Sequence, residues 1–335
     1  MMIDQLKFEA RTMKRRWIAG VTRCAVPLLL AGVALPAVAQ NKNAYVANED
    51  SNTVSVISAA NAVTTTIPVG DIPTAVAVSP NGKAVYVANS GGNDVSVISA
   101  ATNTVSATVP VENTPAAIVI SPNGAYAYVG NTESGSVSVI DTASNTVAAT
   151  VAVGNNPTAI AVSPDGSHVY VANEQDSTVS VINTATNTVS ATVAVGTNPF
   201  GIAVGPFGQQ VYVANFGSNN VSVINTQSNT VTATYAAGNG ANAVAVGALG
   251  ARIFVANFND NTVSILNATN GKLLATLPVG SSPQSEAVSS DGTRLYTANI
   301  DSGNVSVINT LSDQVTATID VGLSPSAVAT QPGCP

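Results

Sequence analysis

One four-residue motif recurs seven times along the chain at nearly constant spacing, and this period constrains the fold more than any other feature. Its copies, Tyr-Val-Ala-Asn or close variants, begin at Tyr45, Tyr86, Tyr128, Tyr170, Tyr212, Phe254 and Tyr296. The first step is 41 residues and every later step is 42. Each copy is followed by a segment similar to Val-Ser-Val-Ile. A unit of this length, repeated in tandem, is typical of a solenoid, a propeller or a similar array.

Each unit contains four short segments with strand character. In the unit over 157–196, runs rich in Val, Ile, Ala and Thr at 157–162, 168–173, 178–182 and 188–195 are separated by turn sequences. The first turn, Ser-Pro-Asp-Gly, has Pro and Gly where a tight turn favours them. Four antiparallel strands per unit match one propeller blade. The predicted fold class is therefore all-β, a seven-bladed β-propeller with four antiparallel strands per blade.

The two ends of the chain predict how the ring closes. The first unit begins with a second strand at 44–48 and has no first strand before it. The chain ends with an unmatched first strand at 325–330. We expect this C-terminal strand to complete the N-terminal blade, because closure removes strand edges that would otherwise invite aggregation.

The N-terminal segment differs in composition from the repeats. A basic stretch at 14–16 precedes an apolar run over 25–39 that ends in Ala-Val-Ala. This pattern predicts a signal peptide over 1–39, with Met13 as an alternative true start, and a single propeller domain over 40–335. The apolar run is short and contains prolines, so no transmembrane segment is expected after cleavage. The expected location is the periplasm, the cell surface or the medium.

Charge, cysteine and histidine content limit the kinds of site that the chain can form. Without the signal peptide the chain has five basic and 16 acidic residues, a formal charge of −11. Cys334 is then the sole cysteine, so no internal disulfide holds the fold. His168 is the sole histidine, and no nucleotide-binding, Cys-x-x-Cys or EF-hand spacing occurs. The sequence predicts no catalytic residue and no cofactor, and it favours a protein without enzymatic activity.

The predicted loops separate the charges onto two faces. The loops between second and third strands, and those between blades, should share one face, which we call the acidic face. It carries eleven acids and no Lys or Arg: Glu49, Asp50, Asp71, Asp94, Glu112, Glu133, Glu174, Asp176, Asp260, Asp301 and Asp320. Such a face repels nucleic-acid phosphate and attracts basic partners or divalent cations. The sequence allows Ca²⁺ there, with Glu174 and Asp176 as weak candidate ligands.

The repeat motifs carry a resemblance to a known family. Tyr-Val-Ala-Asn, Val-Ser-Val-Ile, Ser-Pro-Asn-Gly and Val-Gly-x-x-Pro resemble the YVTN family of β-propeller repeats, which includes YncE-like periplasmic proteins and archaeal surface-layer proteins. The resemblance covers nearly all of 41–330. It implies a seven-bladed propeller in an envelope or extracellular setting. It assigns no catalytic residue, because the shared motif is structural.

One carboxylate breaks an otherwise aliphatic column of the aligned repeats. The third position after the residue that opens the first strand is Val or Ile in six units and Glu286 in the remaining one. A carboxylate is costly to bury unless it is paired or protonated. The sequence leaves two interpretations: a locally shifted strand that places Glu286 in a wet central channel, or a carboxylate that binds a ligand or cation near the axis.

Larger side chains cluster in the units beside Glu286. The position after the strand-opening residue is Phe200, Asn242 and Gln284 in three consecutive units, where the other units have Thr, Ala or Ser. Phe216 and Phe258 follow the repeated Asn in neighbouring units. We expect these five residues at one mouth of the channel. Three phenylalanines in one sector could stack against a sugar or another apolar ligand.

Three functions fit these patterns. The favoured one is an exported, non-catalytic binding or scaffold protein that presents the acidic face and channel mouth to a protein, glycan or small ligand. The first alternative is a carboxylate-dependent, lactonase-type hydrolase or lyase with Glu286 as the base and Ca²⁺ at the acidic mouth. The second is a surface-layer or adhesive structural protein.

Overall fold

A computed structural model describes residues 43–332 of the chain. The predicted signal peptide, the alternative start at Met13 and the single Cys334 lie outside the described residues. Within the described part of the chain, no helix is long and apolar enough to cross a membrane.

The described residues form 28 β-strands. The first fourteen are β1 (Ala44–Asn48), β2 (Thr53–Ile57), β3 (Val63–Pro68), β4 (Pro73–Val78), β5 (Ala84–Asn89), β6 (Asp94–Ser99), β7 (Thr104–Pro110), β8 (Pro115–Ile120), β9 (Tyr126–Asn131), β10 (Ser136–Asp141), β11 (Thr146–Ala152), β12 (Pro157–Val162), β13 (His168–Asn173) and β14 (Thr178–Asn183). The others are β15 (Thr188–Ala194), β16 (Pro199–Val204), β17 (Gln210–Asn215), β18 (Asn220–Asn225), β19 (Thr230–Ala236), β20 (Ala241–Val246), β21 (Arg252–Asn257), β22 (Thr262–Asn267), β23 (Leu273–Pro278), β24 (Pro283–Val288), β25 (Arg294–Asn299), β26 (Asn304–Asn309), β27 (Gln314–Asp320) and β28 (Pro325–Thr330).

These strands form seven separate four-stranded antiparallel sheets, which confirms the predicted seven-bladed propeller. We number the blades in chain order: β28 with β1–β3 is blade 1, β4–β7 is blade 2, and so on to blade 7 with β24–β27. The strands predicted in the unit over 157–196 are β12–β15, and their ends differ from the prediction by at most one residue.

The ring closes through the last strand of the chain, as predicted. β28 pairs with β1 in antiparallel fashion, and Val328 lies opposite Val46. Blade 1 is therefore built from both ends of the described chain. Its sheet is completed by hydrogen bonds, since no disulfide is available to the described residues.

The core lies between neighbouring blades. Tyr128 and Val139 of blade 3 pack against Ile160 and Val171 of blade 4, and equivalent residues repeat this contact around the ring. The motif tyrosine is buried in every blade that has it. Burial of each such side chain stabilises the fold by about 1.5–3 kcal/mol, which explains why the aliphatic and aromatic positions recur so strictly.

The repeated asparagine holds the connection between blades. Asn215 is fully buried, and its side-chain amide donates to Asn220 Oδ1 (2.8 Å) and Ser222 Oγ (2.9 Å) in the next strand. The Val-Gly segment that leads out of the preceding blade packs directly on it. A Cβ at Gly196 would lie 2.6 Å from the Asn215 side chain. This close approach requires glycine at that position.

Most of the acids are concentrated at one end of the sheets, as the loop analysis predicted. The loops from second to third strands and the connections between blades lie at one end of every sheet. Among residues 43–332 that end carries the eleven acids of the acidic face and no Lys or Arg. The opposite end carries the four described basic residues, Lys83, Arg252, Lys272 and Arg294, and four acids, Asp141, Asp165, Asp291 and Asp313.

Candidate functional site

The first strands of all seven blades surround a central cavity of about 490 Å³. We call it the channel cavity. Its mouth lies on the acidic face, where Glu49 and Glu174 contribute to its lining. Burial, reinforced by the neighbouring Asp50, raises the pKa of Glu49 above its usual value. The channel mouth is therefore an acidic opening in a wall built mainly of small and aliphatic side chains.

Three side-chain hydrogen bonds link neighbouring first strands near the mouth. The hydroxyls of Thr74, Thr158 and Ser326 each donate to the carbonyl oxygen of the proline that opens the next blade, at 2.8, 3.0 and 2.9 Å. Asn242 departs from this arrangement, since its amide donates to the backbone oxygen of Gln284 at 2.8 Å. Phe200 has no polar side-chain atom and makes no such bond. Neither the sector around Phe200, Asn242 and Gln284 nor Ala116 of blade 3 makes the bond to proline, and the sector differs from the other blades in the size of its side chains.

The outlying residues of this sector converge on a second cavity of about 390 Å³, which we call the aromatic pocket. Its lining comprises Glu174, Asn198, Phe200, Phe216, Asn242, Phe258 and Gln284. The rings of Phe200 and Phe216 lie 5.8 Å apart, tilted by 47°, and those of Phe216 and Phe258 lie 6.1 Å apart, tilted by 63°. The three phenylalanines therefore form one continuous wall across blades 5 and 6.

Polar groups stand around this wall in fixed positions. Asn242 is buried, with 4% of its surface exposed, and is held by its bond to Gln284. The carboxylate of Glu174 accepts hydrogen bonds from the side-chain amides of Asn156 and of Asn198, the latter at 3.3 Å. An apolar wall with a few oriented polar groups is the usual composition of a small-ligand site. Five of the six predicted ligand-binding residues line this pocket, and the sixth, Glu286, does not.

Glu286 lines the channel cavity, but its strand is not shifted. It pairs with Thr297 in the same register that joins Val244 to Val255 in blade 6. The interpretation of a locally shifted strand is therefore wrong. Both carboxyl oxygens are buried and make no hydrogen bond, so they are not in the wet part of the channel.

Burial raises the pKa of Glu286 well above its usual value of 4.5. The nearby Thr297 hydroxyl opposes this rise by a weaker interaction, although no hydrogen bond of regular geometry joins the two groups. The physical cause is desolvation, because the low-polarity surroundings favour the neutral carboxylic acid over the carboxylate.

Two polar residues beside Glu286 were missed by the sequence reasoning. Thr297 replaces the valine of the repeated motif in blade 7, and its hydroxyl is buried without a partner. Ser285 replaces the Ala or Gly of the other blades and accepts a hydrogen bond from the Val328 backbone N–H at 3.2 Å. Both replacements are visible in the aligned repeats. The pairing of Glu286 with Thr297 across two strands requires the sheet register.

Glu286 and Thr297 interrupt the apolar packing between blades 6 and 7. In this contact Phe254 and Ile265 of blade 6 pack against Leu295 of blade 7. The positions that supply Ile160 and Val171 to the equivalent contact of blades 3 and 4 are the ones taken by Glu286 and Thr297. We call this contact the polar seam.

The weak metal candidates have structural contacts in the folded chain. Asp176 accepts hydrogen bonds from the backbone N–H (2.7 Å) and side-chain amide (2.9 Å) of Asn155. Asp260 accepts from the Asn239 backbone N–H in the same way at 2.7 Å, so this position caps the loop between blades. Within residues 43–332, no group of three or more His, Cys, Asp or Glu side chains is placed to hold a metal ion.

Solved structures with the same fold include proteins of different kinds. The hydrazine synthase of Kuenenia stuttgartiensis is 24% identical over 76% of this chain and 88% of its own, with a TM-score of 0.70. A protein described as functionally unknown, from Desulfotomaculum acetoxidans DSM 771, is 18% identical over 87% of this chain and 100% of its own, with a TM-score of 0.78. At these identities the likeness concerns the fold alone.

A comparison with curated proteins gives no match to this sequence. A family model described as lactonase, 7-bladed beta-propeller, matches residues 36–148 and 141–233. These two matches together cover more than half of the chain, and the chain belongs to the lactonase family of seven-bladed β-propellers.

Proposed function

We propose that the protein is an exported, non-catalytic binding propeller that takes up a small ligand in the aromatic pocket. One observation carries the proposal. The side chains that break the repeat in blades 5, 6 and 7 converge in a single cavity at the channel mouth. Residues that served only solubility would not be expected to meet in one concave site, nor would three phenylalanines be placed there.

The size of the site favours a small ligand, or one residue of a glycan, over a protein partner. A cavity of about 390 Å³ lies within the usual range for small-molecule sites. A stable protein interface needs about 800 Å² from each partner, most of it flatter than this pocket. The adjoining channel cavity provides room for a ligand to extend towards the axis.

The N-terminal sequence supports the exported location. The basic stretch, the apolar run and the Ala-Val-Ala site over 14–39 have the order that signal peptidases require. The YVTN-like motifs fit an envelope or extracellular setting. In this proposal the propeller acts in the periplasm, at the cell surface or in the medium.

A fragment screen by ligand-observed NMR tests the proposal. Fragments that bind the intact protein should lose at least roughly tenfold in affinity for the Phe216→Ala, Phe258→Ala double variant, because the wall that they would contact is removed. Phe207→Ala is the matched control, since Phe207 is a phenylalanine on the opposite face and is 75% exposed. If the fragments bind the double variant as tightly as the intact protein, the proposal is contradicted.

Lactone hydrolysis is a second candidate, favoured by the family match and by Glu286 beside the channel. The structure changes the role that Glu286 would have. Because burial raises its pKa, it would donate a proton rather than act as the base that the sequence reasoning assigned. Its oxygens are also buried, so a substrate could reach them only if the polar seam opened. The acidic face would disfavour an anionic lactone.

A panel of neutral lactones separates this candidate from simple binding. Turnover that Glu286→Gln abolishes while folding is retained would favour hydrolysis. If none of the lactones is hydrolysed, lactone hydrolysis is rejected and ligand binding remains the proposed function of the channel mouth. Far-ultraviolet circular dichroism and gel filtration of the variant establish that the fold is intact.

A further inference from the structure

The three phenylalanines of the aromatic pocket line it with tilted rings rather than as a flat stack. Tilts of 47° and 63° between neighbouring rings turn each ring relative to the next. An aromatic ring has a negative face and a positive edge. A group held in this pocket can contact more than one of the three rings. Arrangements of this kind attract cations, and methylated ammonium groups above all, because their charge is spread over apolar methyl groups.

The charges around the pocket favour a positive ligand. Glu174 lines the same pocket as the rings, and it occupies in blade 4 the position that Phe216 and Phe258 occupy in blades 5 and 6. The whole acidic face around the mouth carries eleven acids, and its described residues include no Lys or Arg. A concave site lined by one sign of charge raises the local concentration of the opposite ion.

The hydrogen-bonding groups of the pocket suit a sugar less well. Sugar hydroxyls need several oriented donors and acceptors, and the amides of Asn198 and Asn242 each already donate one hydrogen bond to a protein oxygen, at 3.3 and 2.8 Å. The three phenylalanines offer none. A methylated ammonium needs no hydrogen-bond partner, so an aromatic wall beside one carboxylate is sufficient to bind it.

We propose that the ligand of the aromatic pocket carries an organic cation of the methylated-ammonium class, held by the faces of Phe200, Phe216 and Phe258 and by the Glu174 carboxylate. This inference rests on the proposed function and specifies the chemistry of its ligand. The cation makes contact through its methyl groups with the rings, and its charge is compensated by the carboxylate at the edge of the pocket.

Calorimetry with two probes of the same shape tests the inference. Choline and 3,3-dimethylbutan-1-ol differ only in that a quaternary nitrogen is replaced by carbon, so the second probe lacks the charge. Choline should bind at least roughly tenfold more tightly than the neutral alcohol. Its binding should weaken as salt is raised, since the acidic face is exposed to solvent.

Variants assign the binding to the pocket. Phe216→Ala and Phe258→Ala should each weaken choline binding about tenfold, and Phe216→Trp should retain or strengthen it. Glu174→Gln removes the charge and keeps one of the two acceptor oxygens, enough for the bond from Asn156 or from Asn198, so it should weaken choline and leave the neutral alcohol unaffected. Phe207→Ala on the opposite face should change neither.

The outcomes distinguish this inference from the proposed function. If the neutral alcohol binds as tightly as choline and depends on Phe216, the pocket binds small ligands but not through charge, and the cation inference is overturned. If choline and tetramethylammonium give no heat up to about 10 mM, an affinity too weak for a recognition site, the inference is also overturned. In that case the fragment screen decides the proposed function independently.

Discussion

Glu286 destabilises the packing between two blades in a way that no other residue of its column does. The equivalent positions are Val or Ile; five of them are buried against the preceding blade, and Ile202 is partly buried there. Glu286 places two buried oxygens there without partners, and Thr297 adds a third. Each unsatisfied buried polar group costs about 1–3 kcal/mol. Burial raises the pKa of the carboxyl group and so favours its neutral form, because the charged form would cost still more.

The free energy of unfolding should therefore fall as pH rises above 4.5, the usual pKa of the group. The pKa of Glu286 is higher in the folded protein than in the unfolded chain. Between these two pKa values the folded state binds more protons, so the free energy of unfolding falls by up to about 1.4 kcal/mol per pH unit. Glu286→Gln cannot ionise. Urea unfolding of both proteins from pH 4 to 8 should show wild type losing stability relative to the variant.

The double variant Glu286→Val, Thr297→Val serves as the control for that measurement. It restores the residues found in the other blades, so it should stabilise the protein by about 1–3 kcal/mol and abolish the same pH-dependent difference. A difference that stays constant from pH 4 to 8 would show that the pKa of Glu286 is the same in the folded and unfolded chains, which would contradict the effect of burial. Other acids, such as Asp165, whose pKa is lowered to about 2 chiefly by the Ser163 hydroxyl, are common to all three proteins.

At this scale the sequence predicted which residues were unusual but not how they were oriented. Aligned repeats single out Glu286 because they supply six examples of the residue expected there. They do not give side-chain directions. Whether its carboxyl group faces the channel or the neighbouring blade depends on rotamers and on the contact with Thr297 in another strand. The convergence of Phe200 and Phe216 was more predictable, because both positions lie at the same end of the same blade.

The connection between blades depends on a close contact at the level of single elements. In five of the seven blades the fourth strand is followed by Val-Gly, as at Gly196, and this glycine packs on the motif asparagine of the next blade. The register of the third and fourth strands also shifts in each blade, as between Val181 and Ile182. The repeated turns predict where each strand lies. They do not predict the register shift, because an extra residue within a strand that occurs in every blade leaves the period of the chain unchanged.

Gly196→Ala should destabilise the protein by about 2 kcal/mol, because the added methyl group would lie 2.6 Å from the buried Asn215 side chain. Thermal or urea unfolding measures the change. Gly205→Ala is the matched control, since its Cβ would meet no atom closer than 3.5 Å, and it should be neutral or slightly stabilising. Equal effects of the two substitutions would show that the contact with Asn215 is not the cause.

The whole molecule depends on a contact between the two ends of its described chain. β28 supplies the first strand of blade 1, and without it β1 would present an unpaired edge and the apolar contact with blade 7 would be incomplete. Exposed strand edges of this kind promote association with other chains. Closure was predictable from sequence, since the missing first strand at one end matches the extra one at the other.

Deletion of residues 325–335 should therefore yield a protein that aggregates or unfolds at a markedly lower temperature. Deletion of 332–335 alone retains β28 and Gln331, whose backbone N–H donates to Asn43 O at 2.8 Å, and should behave like the full chain. Size-exclusion chromatography and thermal unfolding compare the two. A monomeric, cooperatively folded product of the longer deletion would show that six blades and an open sheet suffice.

The separation of acids and bases has a consequence for how the propeller sits in its surroundings. Among the described residues, eleven acids lie at one end of its axis, while four acids and four bases offset each other at the other end, so the molecule carries a permanent electric moment along that axis. Close to a surface of fixed negative charge, within about a Debye length of 8–10 Å, the resulting torque turns the end with balanced charges inward. The aromatic pocket then points away from that surface, towards arriving solutes, without any dedicated anchor.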